Sequence, residues 1–325
     1  MRLAVAGGIF DTAPEYQRAI VTPETHLVAG LRERGVDVVA VGLRGRLPAG
    51  VDLLHLHHVG PIGVRSLAAR LPVVLTRHRA PGIVAAGLRG RVAEAALLVR
   101  CQALVALTQV EADHYRRRVR SGRVRVIHNG VDGHVFSPGP RKGGREVLFV
   151  GQLLRAKGVF DLLQAFAELV RDDEALRLRL VAHLQPARAE FDAEVARLGL
   201  RAHVVVEAGM PHVELVGRYR EAAVFVLPSH DEALPSVTAE AALTGTPVVS
   251  TDLPGVREQL GELASYVPAA APPRLAQALR AALVDGPQRR DALRAARPAL
   301  LEGLSLRAMV ERHLDLYREV LEDAA

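Results

Sequence analysis

Apolar positions fall into short, β-branched runs separated by stretches in which apolar residues recur every three or four positions. In the first half the runs 2–7, 36–42, 52–57, 72–77, 103–108 and 124–128 read as strands, and 23–34, 63–70, 87–100 and 109–119 read as helices. The pattern stops at FSPGPRKGGRE, 136–146, where prolines, glycines and charges crowd together and predict a linker. It restarts with strands at 146–150, 176–182, 203–207, 223–228, 247–251 and 263–267, helices at 158–171, 187–198, 212–221, 235–244 and 272–284, and a closing helix at 305–323. Wholly apolar strands alternating with helices predict parallel sheets covered on both faces. The expected class is therefore α/β, with two Rossmann-like, doubly wound domains. Residues 1–140, with the closing helix at about 305–325, would form one domain and 141–304 the other. Such sheets bind ligands beyond the carboxyl ends of their strands, so a cleft between the two domains is the expected site.

The 325 residues, 49% of them apolar, are enough for two cores. The apolar runs are too short for a membrane span, and MRLAVAGGIFD meets an acid too early for a secretory signal, so a cytoplasmic location is expected. One cysteine, Cys101, excludes an intramolecular disulfide framework and is expected to fill core space. The net charge is +6, but acids are interspersed with the arginines and aromatics make up only 4%, which argues against a nucleic-acid partner. The densest basic run, HYRRRVRSGRVR at 114–125, reads as a solvated helix end; an anionic acceptor or an acidic membrane surface is the alternative, with membrane association not favoured.

Two segments carry candidate chemistry. In VLFVGQLLRAKGVFDLLQAF, 147–166, a strand runs through Gly151 into a polar loop, and Lys157-Gly158 open a helix. A helix start offers unpaired N–H groups, and a lysine there suits a phosphate. In SHDEALPSVTAEAALTGTPVVST, 229–251, Pro235 suits the first helical position and Gly245 the stop. Glu232 then lies in the loop and Glu240 in the second helical turn. Carboxylates beside an anion-binding helix start suit hydroxyls rather than phosphate, as on a ribose or a sugar.

LFVGQL…KG (148–158), VLPSHDEALPSVTAEAALTGTPVVSTDLPGVRE (226–258) and VIHNGVDGHVFSPG (126–139) together resemble the retaining glycosyltransferases of family four, which have the GT-B fold. Glu232 and Glu240 match that family's E-x7-E signature, and DLLHLHH, PVVLTRH and HLDLYREVL fit as well. The resemblance implies two domains facing a cleft, with the C-terminal helix crossing back onto the N-terminal domain. It implies a nucleotide-diphosphate sugar as co-substrate, no cofactor and no metal. By the same resemblance Lys157 contacts the diphosphate, Glu240 the ribose and Glu232 the sugar hydroxyls, with the main chain of Ala233, Leu234, Pro235 and Ser236 around them. His78 matches a family histidine near the donor sugar. Retention would follow a front-face path in which the departing phosphate helps deprotonate the acceptor.

The chain departs from the family at four places. Gln152 stands where the family has arginine, with Arg155 as the alternative phosphate contact, and Ala233 stands where it has glycine. The family's glycine-rich loop is VTPETH here, with Gly7-Gly8 placed earlier, and its G-x-G is AHLQP. Acceptor-side candidates are Gly8, Glu24, His26, His57 and His58. His55 and His57 alternate on a strand and so share a face, but nothing nearby in the chain completes a metal site. The expected reaction is transfer of a hexosyl-type sugar, from a UDP-sugar ahead of other donors, to a hydroxyl of a small, soluble acceptor. A sugar-nucleotide epimerase and a degenerate, non-catalytic binding protein are the rival readings.

Overall fold

The computed structural model describes residues 1–14, 21–78, 87–120, 122–140 and 144–324. Residues 141–143 of the expected linker and residue 121 of the basic run lie outside these. The chain divides into two compact units, Met1–Gly130 with Gly303–Ala325, and Val131–Glu302.

In the first unit the strands are β1 (Arg2–Gly7), β2 (Asp37–Gly42), β3 (Leu53–Leu56), β4 (Val73–Thr76), β5 (Ala103–Ala106) and β6 (Val124–Val126). Its helices are α1 (Pro23–Glu33), α2 (Pro61–Ser66), α3 (Gly87–Arg100) and α4 (Gln109–Tyr115). Among the described residues the strands form one six-stranded sheet, in the order β2-β1-β3-β4-β5-β6. The pairings are parallel, as Leu3 opposite Leu53 and Val74 opposite Ala103. Alternate residues feed opposite faces: Leu3 and Val5 pack with Leu27 and Leu31 of α1, whereas Ala4 and Ala6 join Ile62 and Leu97 on the other side. Cys101 fills that second core as expected, and burial pushes its thiol up to about 12.

The second unit contains β7 (Glu146–Val150), β8 (Arg177–Ala182), β9 (Val204–Ala208), β10 (Val224–Leu227), β11 (Val248–Thr251) and β12 (Ala264–Val267). Its helices are α5 (Val159–Asp172), α6 (Arg188–Arg197), α7 (His212–Glu221), α8 (Ser236–Leu243), α9 (Pro254–Leu260) and α10 (Pro272–Val284). The described strands again form a parallel six-stranded sheet, in the order β12-β11-β10-β7-β8-β9. Leu162 and Phe166 of α5 and Leu275 and Leu279 of α10 cover one face.

Two helices close the chain, α11 (Gly286–Leu304) and α12 (Leu306–Glu322). The sequence pattern did not predict α11, which contains Pro298, ordinarily a helix breaker. Tertiary contacts support it: Leu293 is fully buried, Arg290 donates to the Gly245 carbonyl, and Arg297 donates to the carbonyls of Leu243 and Gly133. The expected closing helix, α12, packs on the first unit through Met309, Val310, Leu314 and Tyr317. Gly30 of α1 permits this approach, since a Cβ there would lie 2.5 Å from Val310. The Pro/Gly-rich stretch begins inside the second unit: Phe136 is buried against Tyr219, and Ser137 accepts from Arg220.

Each sheet reverses its winding beside its first strand. In the second unit the reversal lies between β7 and β10, and in the first between β1 and β3. Loops leaving these strands diverge to opposite faces and leave room for a ligand.

Candidate active site

At the second unit's reversal, the loop after β7 forms a short 3-10 turn, Arg155–Lys157, and α5 starts only at Val159. Lys157 therefore precedes the helix rather than opening it. Gly158 between them has φ +67°, and a Cβ there would sit 1.9 Å from the Pro228 carbonyl. Only glycine allows this turn to press against the exit of β10. The His230 N–H donates to the Ala156 carbonyl at 2.9 Å and ties the two loops together.

This joining brings Lys157 Nζ to 2.5 Å from Glu232 Oε1. Ser229 Oγ also donates to Glu232 Oε1, at 3.0 Å. The Ser229 carbonyl in turn accepts from Thr251 Oγ1 at 2.6 Å. Neither Ser229 nor Thr251 was singled out from the sequence; both stand at the carboxyl ends of strands, where such a signal was available.

Pro235 is the cap residue of α8 rather than its first helical residue, and the helix runs Ser236–Leu243. The cap carries no side-chain hydrogen bond to the first N–H groups, which leaves that end electropositive. The Pro235 carbonyl is held instead, by Thr238 Oγ1 at 2.8 Å and Gln259 Nε2 at 3.1 Å. The loop through Ala233 and Leu234 lies tight on α9, since a Cβ at Gly255 would sit 2.2 Å from the Ala233 carbonyl.

Glu240 is 4% exposed. Burial raises its pKa, against the opposing effects of His212 and of hydrogen bonds from Tyr219 and Ser236. The Tyr219 hydroxyl donates to Oε2 at 2.9 Å. Tyr219, distant in the chain, was missed by the sequence reading. Arg155 is exposed, pairs with Glu190 of α6 and lies over the Phe160 ring at 4.4 Å. Gln152 is half-buried beside Gly151, whose N–H donates to the Val181 carbonyl at 3.0 Å. His183, just beyond β8, has its pKa lowered by partial burial and by the Lys157 charge, which places it near Lys157.

The first unit gathers a second polar cluster. The HLHH stretch splits three ways. His55 belongs to the core, hydrogen-bonded to Tyr317 at 2.6 Å and to Thr76 at 2.7 Å. His57 lies beyond the end of β3, and its Nδ1 is 2.8 Å from His78 Nε2. His58 Nε2 is 3.3 Å from Glu24 Oε1. Glu24 occupies the first turn of α1, whose start is held by a Thr22–Thr25 capping box with Pro23 at its head. Gly7 makes space for it, as a Cβ there would lie 3.0 Å from Glu24 Cγ, whereas Gly8 opens a short 3-10 turn. His26, also on α1, is half-buried.

Burial works against ionisation of Glu24, but the hydrogen bond from His58 holds its carboxyl well below the usual range. Burial lowers His57 well below its ordinary value and His78 to about 4, so both rings are neutral near pH 7. One ligating atom each from Glu24, His57 and His78 lie within 4.8 Å of one another, a set able to hold a metal ion, although a hydrogen bond already joins the two rings. A cavity of about 340 Å³ lies beside them, lined by His57, His58, Thr76 and the buried Arg77–Glu94 pair.

The sequence profile of Glycosyl transferases group 1 matches residues 132–298, and that of Glycosyltransferase Family 4 matches residues 39–134. The chain belongs to the family-four glycosyltransferases. A D-inositol 3-phosphate glycosyltransferase from Catenulispora acidiphila is 32% identical over 311 residues, covering 85% of this chain and 74% of that protein. Another, from Saccharomonospora viridis, is 31% identical and covers 84% and 71%. Among solved structures, sucrose-phosphate synthase from Thermosynechococcus elongatus superposes with a TM-score of 0.82 at 21% identity, over 99% of each chain. Anabaena HepE in complex with UDP and glucose superposes at 0.77 and 16% identity, over 98% of this chain and 100% of its own. The fold of this glycosyltransferase is GT-B, as its sequence resemblance implied.

Proposed function

We propose that this glycosyltransferase moves a hexosyl-type sugar from a nucleotide-diphosphate sugar, a UDP-sugar ahead of others, to a hydroxyl of a small polyhydroxylated acceptor, with retention of configuration. The observation that carries the reading is the Lys157–Glu232 pair beside the uncapped start of α8. An arriving diphosphate competes with Glu232 for the ammonium. Lys157 and the helix-start N–H groups then stabilise charge on the departing nucleotide diphosphate. Released from the lysine, Glu232 accepts hydrogen bonds from sugar hydroxyls. Glu240 has acceptor capacity beyond its bond to Tyr219 and takes the ribose. The carboxylates do not act as the flanking pair of a glycosidase.

The first unit's cavity, with its histidines, takes the acceptor in this reading. The names of the relatives support a small cyclic polyol, and the UDP and glucose in HepE support the donor class. Among the described residues no helix is long and apolar enough to cross a membrane, in keeping with a cytoplasmic site of action. We propose no metal and no cofactor, because the charge stabilisation comes from Lys157 and backbone dipoles.

The test is a thermal-shift and transfer screen of sugar nucleotides against polyol acceptors, repeated with Lys157→Ala, Glu232→Gln and Glu240→Gln. Transfer is expected for the wild type and strongly reduced turnover for Lys157→Ala. Wild-type rates in Lys157→Ala would sink the phosphate role. Donor interconversion without acceptor would favour an epimerase, and donor binding without turnover a non-catalytic protein.

A further inference from the structure

His57 and His78 share a hydrogen bond whose direction can be deduced. His57 Nδ1 and His78 Nε2 are 2.8 Å apart, and the rings lie nearly parallel, 13° between their planes, with centroids 5.1 Å apart. A hydrogen bond between two ring nitrogens needs one donor and one bare acceptor, so one proton lies between the facing nitrogens and the accepting ring carries its own proton on its other nitrogen. The proton belongs either to His57 or to His78.

The other nitrogen of His57 decides between them. His57 is 2% exposed, and among the described residues its Nε2, shut off from solvent, finds no hydrogen-bond partner. If His78 donated, the His57 proton would sit on Nε2 as a buried, unpaired N–H. If His57 donates, Nε2 keeps only a bare lone pair. An orphaned buried N–H is the rarer and costlier arrangement. His57 therefore donates from Nδ1, and His78 accepts at Nε2.

We infer that His57 is a positioning residue that holds His78 in its Nδ1–H tautomer, so that His78 offers a donor rather than a lone pair to an oxygen of a hydroxylated ligand bound beside it. Among the described residues His78 Nδ1 takes no partner, and the ring is only half-buried, so that N–H remains for a ligand. The contact with that ligand rests on the proposed transfer function; the tautomer itself does not.

Two-bond ¹H–¹⁵N correlation spectra of the ¹⁵N-histidine-labelled full chain read the tautomer, with His78→Gln identifying the signal. The wild type is expected to carry the His78 proton on Nδ1. In His57→Leu the proton should move to Nε2, the site a free histidine side chain favours. His57→Asn, whose amide N–H can stand in for Nδ1–H, should restore the wild-type pattern, and His57→Asp, an acceptor only, should reverse it. A wild-type His78 protonated at Nε2 overturns the inference, as does an unchanged tautomer in every folded His57 variant.

With UDP-glucose as first probe, or whichever sugar nucleotide the transfer screen identifies, kcat/KM of His57→Leu should fall by up to about tenfold, the worth of one hydrogen bond, and His57→Asn should recover most of it. Wild-type turnover in His57→Leu with a shifted tautomer overturns the positioning role. If no sugar nucleotide is turned over, the transfer reading fails, and the spectra still decide the tautomer.

Discussion

Lys157 and Glu232 stand 75 positions apart and meet at 2.5 Å, one from the loop after β7 and one from the loop after β10. Both are partly exposed, so the pair itself adds little stability. Its value is readiness: a cation and an acceptor are held where a phosphate and a hydroxyl can separate them. Lys157→Ala should lower kcat/KM by roughly 10²–10³, the cost of removing one charge-stabilising donor, while the melting temperature stays near wild type. Steady-state kinetics and a thermal melt check the two halves together. A large loss of stability in place of a kinetic loss would make the pair structural.

Glu240 sets function against stability. Burial raises its folded pKa, so between pH 4.5, its ordinary value, and the higher folded value the native state binds more protons than the unfolded chain. Stability then falls as pH rises through that window. Glu240→Gln removes the ionisation and keeps the shape. It should melt higher than wild type at pH 7, by about 2–4 °C for each kcal/mol recovered, and lose that advantage below the window. Donor binding should weaken at the same time. A variant that melts lower at pH 7 and binds donor normally would refute both roles.

The buried histidines of the first unit predict acid lability. Burial lowers His313 and His78 from 6.5 to about 4. With folded values below the unfolded ones, the native state binds fewer protons in that window. Their contribution is complete above about pH 6.5 and is lost as pH falls towards 4. His313 packs beside His55 and Tyr317, at ring distances of 5.3 and 6.0 Å, and bonds only to the Met309 carbonyl of its own helix among the described partners. His313→Leu should therefore move the acid-unfolding midpoint, followed by circular dichroism, to lower pH. An unmoved midpoint would assign the acid sensitivity to other groups.

Two glycines with similar backbone angles separate strain from contact. Gly158 and Gly199 have φ of +67° and +73°, but a Cβ at Gly199 meets nothing within 4 Å, whereas one at Gly158 strikes the Pro228 carbonyl. Gly199→Ala should cost about 1 kcal/mol from backbone strain alone. Gly158→Ala should cost several-fold more and displace Lys157, so that donor binding falls with stability. Equal melting temperatures for the two variants would contradict the close approach of the two loops.

The sequence resemblance and the structure differ where contacts are remote. The E-x7-E spacing located Glu232 and Glu240, but not that Tyr219 would hold one of them and Lys157 the other. HLHH looked like one group of aligned histidines, but the strand ends at Leu56 and each ring finds a different partner. Glu24 was a candidate by its place near a helix start, and its meeting with His58 had no signal in the chain.

By itself the sequence determined the strands, the helices with uninterrupted patterns, the two parallel sheets and the family. Those follow from local periodicity and from apolar runs that must be covered on both faces, which are properties of neighbouring residues. The tertiary structure alone decided that α11 continues through Pro298, that Arg155 is held by Glu190 and Phe160, and that Glu24, His57 and His78 converge. Each of these depends on contacts between residues far apart in the chain, whose energies a local pattern does not record.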